Sequence, residues 1–181
     1  MSIVTKQGDK GKGRLLSGEE VSKADGRLEA LGTLDELAAN LGVARSMIED
    51  RGLSGQIREL QLELLGLGKE LAMAQPAKSG GVESISSRQV ARIETHIKAI
   101  EDEIALPAGF VLPGSSQPSA RLDVARAVAR RLERRVVALR DEGLSINPQT
   151  LIYLNRLSDY LFLLARAVEK STGLPIDAKK E

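Results

Sequence analysis

Residues 147–173 read NPQTLIYLNRLSDYLFLLARAVEKSTG. Asn147 followed by Pro148 is a helix start: the Asn side chain accepts from an early backbone N–H, and proline suits the first helical position. Leu151, Leu154, Leu157, Leu161, Leu164 and Val168 then recur at helical spacing as far as Gly173, a good C-terminal stop. One long helix with an apolar stripe is the expectation, and such a helix needs partners to cover the stripe.

The same spacing recurs upstream. A fourth helix is expected from about Ser119 to Asp141, and a third, capped by Ser86 or Ser87, carries Val90, Ile93, Ile97, Ile100 and Ile104 until Pro107 and Gly109 stop it. A second runs through Ile57, Leu60, Leu64, Leu67 and Leu71 and ends before Pro76. The first extends from Arg27 to about Ile48, with Leu28, Leu31, Leu34, Leu37, Ala38, Leu41 and Met47. Gly52 and Gly55 bracket a break, and residues 76–85 compose a loop. Five helices with short connections predict an all-α antiparallel bundle. No internal repeat and no strand pattern is evident. One domain over residues 1–181 is expected, with 1–26 as a loop or arm and 27–173 as the bundle.

Composition agrees. The 181 residues are 42% hydrophobic and 28% charged, the balance of a soluble domain large enough to bury a core. Aromatic residues make up only 2%, with no Trp, so the core must come from Leu, Ile, Val and Ala. Phe110 and Phe162 draw interest because large rings are so scarce. A net charge of +1 gives no case for nucleic acid or an anionic membrane. Without cysteine there is no disulfide, thiolate metal site or thiol nucleophile. No signal peptide or spanning segment is expected, and the plain reading is cytoplasmic.

Four features could carry chemistry. The fourth helix holds Arg121, Arg126, Arg130, Arg131, Arg134, Arg135 and Arg140. Arg126, Arg130 and Arg134 are spaced i, i+4, i+8 along one side, where like charges repel and call for an anion or facing carboxylates. Guanidinium forks suit phosphate, while a solvated face with ordinary ion pairs fits the same spacing. The run Thr5-Lys6-Gln7-Gly8-Asp9-Lys10-Gly11-Lys12-Gly13-Arg14 is rich in glycine and lysine, as a phosphate-cradling loop or a mobile basic tail would be. It is not a Walker A motif. Asp35-Glu36, beside Leu34 and Leu37, places at least one acid near the buried boundary, where it needs an arginine partner. In the last helix Asn155 and Asp159 share a face, as a solvated polar stripe or as a ligand or Mg²⁺ contact. His96 is the one histidine, which excludes a di-iron pair of Glu-x-x-His motifs and favours a surface role.

Several segments, in order, resemble one family. These are Thr5 to Gly11, Val21 to Leu37, Phe110-Val111-Leu112-Pro113-Gly114, Ala125 to Arg135, and Asn147-Pro148 with Leu154 to Phe162. Together they are similar to the PduO-type cob(I)alamin adenosyltransferases. The resemblance implies a ferritin-like five-helix bundle, assembled as a homotrimer with sites between subunits. It implies the substrates ATP and a corrinoid, with Mg²⁺, and as further partners a reductase and an acceptor enzyme dependent on adenosylcobalamin. ATP would be bound by Thr5, Lys6, Gly8, Asp9, Lys10, Gly11 and Lys23, and by Arg130, Glu133, Arg134 and Asn155, the last also a candidate Mg²⁺ ligand. Asp35 and Arg126 would pair across subunits at the corrinoid site, and Phe110 would cover the lower face of the corrin ring. Two positions depart from the family pattern: Gly13 stands where its loop ends in Thr, and Ser115 where a second glycine is usual. They motivate an alternative, a non-catalytic carrier or sensor that binds ATP or corrinoid on the same fold. A helical scaffold for another macromolecule is a third reading.

Overall fold

The computed structural model describes residues 4, 6–73 and 84–176. Its elements are β1 Lys12–Arg14, β2 Glu20–Ser22, α1 Gly26–Ser46, α2 Arg51–Met73, α3 Ser87–Glu103, α4 Gln117–Asp141 and α5 Pro148–Ser171. The five expected helices are present, and details of their boundaries and of the N-terminal segment differ. The N-terminal segment folds an antiparallel hairpin, with Gly13 opposite Val21. Strands of three residues are too short to leave an alternating pattern. And α2 begins at Arg51, so Gly52 and Gly55 lie within it rather than bracketing a break. Asp50 Oδ1 accepts from the Leu53 N–H at 2.9 Å, which starts the helix before the glycines.

Caps set the other boundaries. Asn147 caps α5: its Oδ1 accepts from Gln149 N at 3.0 Å while its Nδ2 donates to the Ile85 carbonyl at 2.7 Å. Ser86 caps α3. Ser116 caps α4 with Ser119 in a reciprocal box, which moves that start ahead of the expected Ser119.

Helix α5 packs on α3 and α4, α4 on α1, and α1 on α2. Leucine, isoleucine, valine and alanine fill the core, and the scarce rings divide sharply. Tyr153 and Tyr160 are fully buried, whereas Phe110 is 83% exposed. Each phenol has a partner: Tyr153 donates to Glu63 Oε2 at 2.9 Å and Tyr160 to Gln56 Oε1 at 2.7 Å. Burial pushes both phenol pKa values up.

The expectation for Asp35 and Glu36 is corrected. Leu34 and Leu37 take the buried side of α1, which turns both acids outward to solvent. His96 is also corrected: it is half-buried, with Nδ1 2.9 Å from the Tyr160 hydroxyl. Since that hydroxyl gives its proton to Gln56, His96 is the donor of this bond. No described helix is long and apolar enough to cross a membrane.

Candidate functional site

An open groove of about 750 Å³ lies over α5, walled by α3 on one side and α4 on the other. Arg126 and Arg130 come from the α4 wall, Asp159 and Phe162 from the α5 floor, and Lys98 and Leu106 from the α3 side. The volume is in the range of small-molecule sites.

The arginines of α4 divide by the face they occupy. Arg131 pairs with Glu36, and Arg135 with Glu29 at 2.5 Å, so these two fasten α4 to α1. Arg135 also donates to the Glu29 carbonyl and the Thr33 hydroxyl. Arg130 and Arg134 are exposed, and neither has an ion pair among the described residues. Arg126 is half-buried, with Nε 3.8 Å from Asp123 Oδ1. Within the row Arg126 thus faces one carboxylate, while Arg130 and Arg134 face none among the described residues; the α1 carboxylates Glu36 and Glu29 are taken by Arg131 and Arg135, which lie off the row. Arg134 does not line the groove.

A polar belt links α4, α5 and α3 beside the groove, which its members Arg156 and Glu94 line. Asn155 Nδ2 donates to Glu133 Oε1 at 3.1 Å, Arg156 Nη1 donates to Asn155 Oδ1 at 3.0 Å, and Arg156 Nε donates to Glu94 Oε1 at 3.0 Å. The carboxylate can only accept and the guanidinium only donate, so the Asn155 amide is held in one orientation. Its oxygen faces a cation, which opposes a resident metal there. Among the described residues no group of three acidic or histidine side chains could hold a metal ion.

The N-terminal loop is shaped by backbone conformation. Lys6 and Gly11 have positive φ, 58° and 74°. The Lys23 N–H donates to the Gly11 carbonyl at 2.8 Å, and a Cβ at Gly8 would lie 2.8 Å from Lys23 Nζ. Gly8, Gly11 and Lys23 are thus brought together, with Asp9 and Lys10 exposed at the turn. Thr5 lies outside the described residues. Arg27 anchors the hairpin to α1, with a bidentate grip on Glu19 at 2.7 and 3.0 Å and a contact to the α1 cap Asp25 at 3.1 Å. Its hydrogen bonds hold the Glu19 and Asp25 carboxyls below the usual range.

Asp35 and Arg126 do not meet within the chain, and Asp35 has no ion pair among the described residues. Phe110 projects from the loop between α3 and α4, between the positive-φ residues Gly109 and Gly114.

A cobalamin adenosyltransferase family model matches residues 3–168. The chain belongs to the cobalamin adenosyltransferase family. It is 38% identical to the corrinoid adenosyltransferase PduO of Citrobacter freundii over 92% of its own length, and spans about half (50%) of that relative. It is 36% identical to a corrinoid adenosyltransferase of Bacillus subtilis, covering 96% of this chain and 90% of the relative. Among solved structures, a Phe→His variant of a PduO-type ATP:corrinoid adenosyltransferase from Lactobacillus reuteri, complexed with cobalamin and ATP, superimposes with a TM-score of 0.92. The two are 33% identical, over 99% of this chain and 97% of that one.

Sequence reading did not single out Asp123, Arg166 and Glu169, which this member of the adenosyltransferase family buries between α4 and α5. Their signal was present: Arg166 and Glu169 interrupt an apolar stretch at i, i+3 spacing, where a solvated pair is out of place. Of the two residues that complete the belt, Arg156 stands out in sequence beside Asn155 and Asp159 in an otherwise apolar helix, whereas Glu94 carried no signal, because exposed charges are common on any helix.

Proposed function

We propose that the chain transfers the 5′-deoxyadenosyl group of ATP to the cobalt of a cob(I)alamin-type corrinoid and releases triphosphate. The observation that carries this reading is Arg130. It opens beside Arg126 onto the groove without a carboxylate partner among the described residues, while Arg131 and Arg135 on the same helix are paired. Reduced cobalt attacks C5′ of ATP, the cobalt–carbon bond forms as the C5′–oxygen bond breaks, and the electron pair leaves with the triphosphate. No general base is needed. Arg130 and Arg134, with Lys6, Lys10 and Lys23 and the Gly8, Asp9 and Gly11 backbone, would hold the phosphates and stabilise charge on the leaving group. Thr5 is assigned to the same loop. Glu133 and Asn155 would contact the nucleotide. Mg²⁺ belongs with ATP as part of the substrate, since the geometry at Asn155 does not suit a resident ion. Phe110 would lie against the lower face of the corrin, where an apolar ring excludes water and the axial base and eases reduction of the cobalt.

We place the complete site between subunits of a homotrimer. Gly26, where the hairpin joins α1, packs beside Leu139 and Glu142 at the far end of α4. From Glu142 back to Arg130 is roughly 18 Å along a helix. A loop from a second copy closes that separation, and exposed Asp35 is then available to Arg126 of a neighbour. A reductase and an acceptor for the adenosylated product are the corresponding partners.

A non-catalytic carrier is the second reading, favoured by Gly13. A Cβ there would lie 2.8 Å from Leu28 Cδ1, so this loop is packed for glycine where the family pattern has threonine. Anaerobic incubation of the protein with cob(II)alamin, reductant and MgATP decides between them. Light-sensitive adenosylcobalamin that depends on both protein and ATP is the expected result, with large losses in Arg130→Ala and Phe110→Ala. Tight corrinoid binding without product, in the presence of confirmed cob(I)alamin, would favour the carrier.

A further inference from the structure

Behind the α4 wall of the groove, α4 and α5 enclose a cluster of charges that does not itself line the groove. Side chains of Asp123, Arg166 and Glu169 are 6%, 1% and 0% exposed. Arg166 Nη2 donates to Asp123 Oδ2 at 2.7 Å and to Glu169 Oε1 at 2.9 Å. Arg166 Nε and Glu169 Oε2 approach to 2.9 Å but are not aligned for a hydrogen bond, so both atoms remain without one. Two carboxylates share one buried guanidinium, which leaves the cluster an excess of negative charge. A second cation faces it: Arg126 Nε, without a hydrogen bond among the described residues, stands 3.8 Å from Asp123 Oδ1. The Arg166 guanidinium carbon also lies over the Phe162 ring, 5.1 Å from its centre. Arg126 and Phe162 both line the groove.

Stability is a poor explanation for such a cluster, because apolar groups of similar volume often serve a core as well as a buried ion pair does. Its geometry suggests another use. A guanidinium is a rigid planar fork, so attracting its Nε edge decides where the opposite Nη edge points. We infer that Asp123, clamped by Arg166 and Glu169, is a positioning residue for Arg126. It draws the Nε edge toward the seam between α4 and α5 and leaves the Nη edge directed into the groove. The same Arg166 fixes the Phe162 ring, so one buried cluster sets two groove-lining side chains. The inference rests on the reading of Arg126 as part of an adenosyl-transfer site.

The test uses the full chain with Asp123→Asn, Asp123→Glu, Arg126→Lys and the Asp123→Asn/Arg126→Lys pair. Asp123→Asn keeps the shape and an acceptor for Arg166 while removing the charge that faces Arg126. Its kcat should fall about 10–100-fold, the scale of a misplaced catalytic contact, with KM for ATP little changed. Added to Arg126→Lys it should cost almost nothing more, because both changes remove one interaction. Additive losses in kcat, or a lowered melting temperature with unchanged kcat per folded molecule, would overturn the inference. If Asp123→Asn does not fold, Asp123→Glu retains the charge and displaces the carboxylate by one methylene, and the same fall in kcat is expected. A readout independent of turnover is the Nε–H resonance of Arg126 in ¹⁵N-arginine-labelled protein, identified by its loss in Arg126→Lys. Asp123→Asn should shift it and speed its exchange with solvent. An unmoved resonance sinks the positioning role even in an active enzyme. A wild-type protein that forms no product sinks the proposed activity instead, and leaves the resonance test standing.

Discussion

Gly13 sits in β1 against Leu28, and replacing it with Thr separates packing from chemistry. The close atom is the end of a flexible side chain, so Gly13→Thr should cost about 1 kcal/mol, the low end for overpacking. Leu28→Ala makes room, and the double variant should be less destabilised than the sum of the two single changes, as read from urea midpoints. Strict additivity would mean that Leu28 is not the obstacle. At His96, burial lowers the ring pKa, aided by the charge of Arg92. The neutral ring is therefore favoured in the fold, and the unfolded chain binds the proton first. Stability should decline as pH falls below about 6.5, the unfolded value, and stop declining once the folded ring is protonated. His96→Gln should flatten that part of the melting-temperature profile. An unchanged slope would assign it to other groups. Local pattern made the glycine-rich loop and the arginine row visible. Which arginines are paired it could not reveal, because that depends on Glu29 and Glu36, about a hundred residues away in sequence.

Helix starts were the most legible elements, since a cap is a local arrangement of a few residues. Asn147-Pro148 is the clearest case, and here the cap has a second task, because its amide also ties α5 to the Ile85 carbonyl ahead of α3. Asn147→Ala should cost about 2 kcal/mol, the upper end for loss of a cap. Asn147→Asp keeps the cap acceptor without the donor to Ile85, and should recover part of the loss in a denaturant titration. Equal losses in the two variants would show that only the Ile85 bond matters. Glycine misled the reading of α2, because Gly52 and Gly55 cost a helix little when Asp50 has already satisfied its first turn. The hairpin was invisible for a different reason. Its paired strands have three residues each, and the ion pair that ties it to α1, Arg27 gripping Glu19 across eight residues, leaves no periodicity either.

At the scale of the molecule, five helices and their order followed from apolar spacing, while the groove did not. Its position requires knowing that α5 lies between α3 and α4 and that its outer face stays open between them. If the site is completed by a second copy, activity should depend on assembly. Sedimentation should give three times the chain mass, and dilution into monomer should abolish adenosyl transfer before helical circular dichroism is lost. A fully active monomer would refute the shared site. The disposition of the rings has an optical consequence. With no Trp and only two tyrosines, the chain absorbs very little near-ultraviolet light of its own. Adenine and corrin bands can therefore be followed nearly free of protein background. The two phenols supply a complementary alarm: held above the ordinary value of about 10 by burial, they stay protonated in mild alkali while the bundle is intact, so tyrosinate absorbance in the ultraviolet marks its opening.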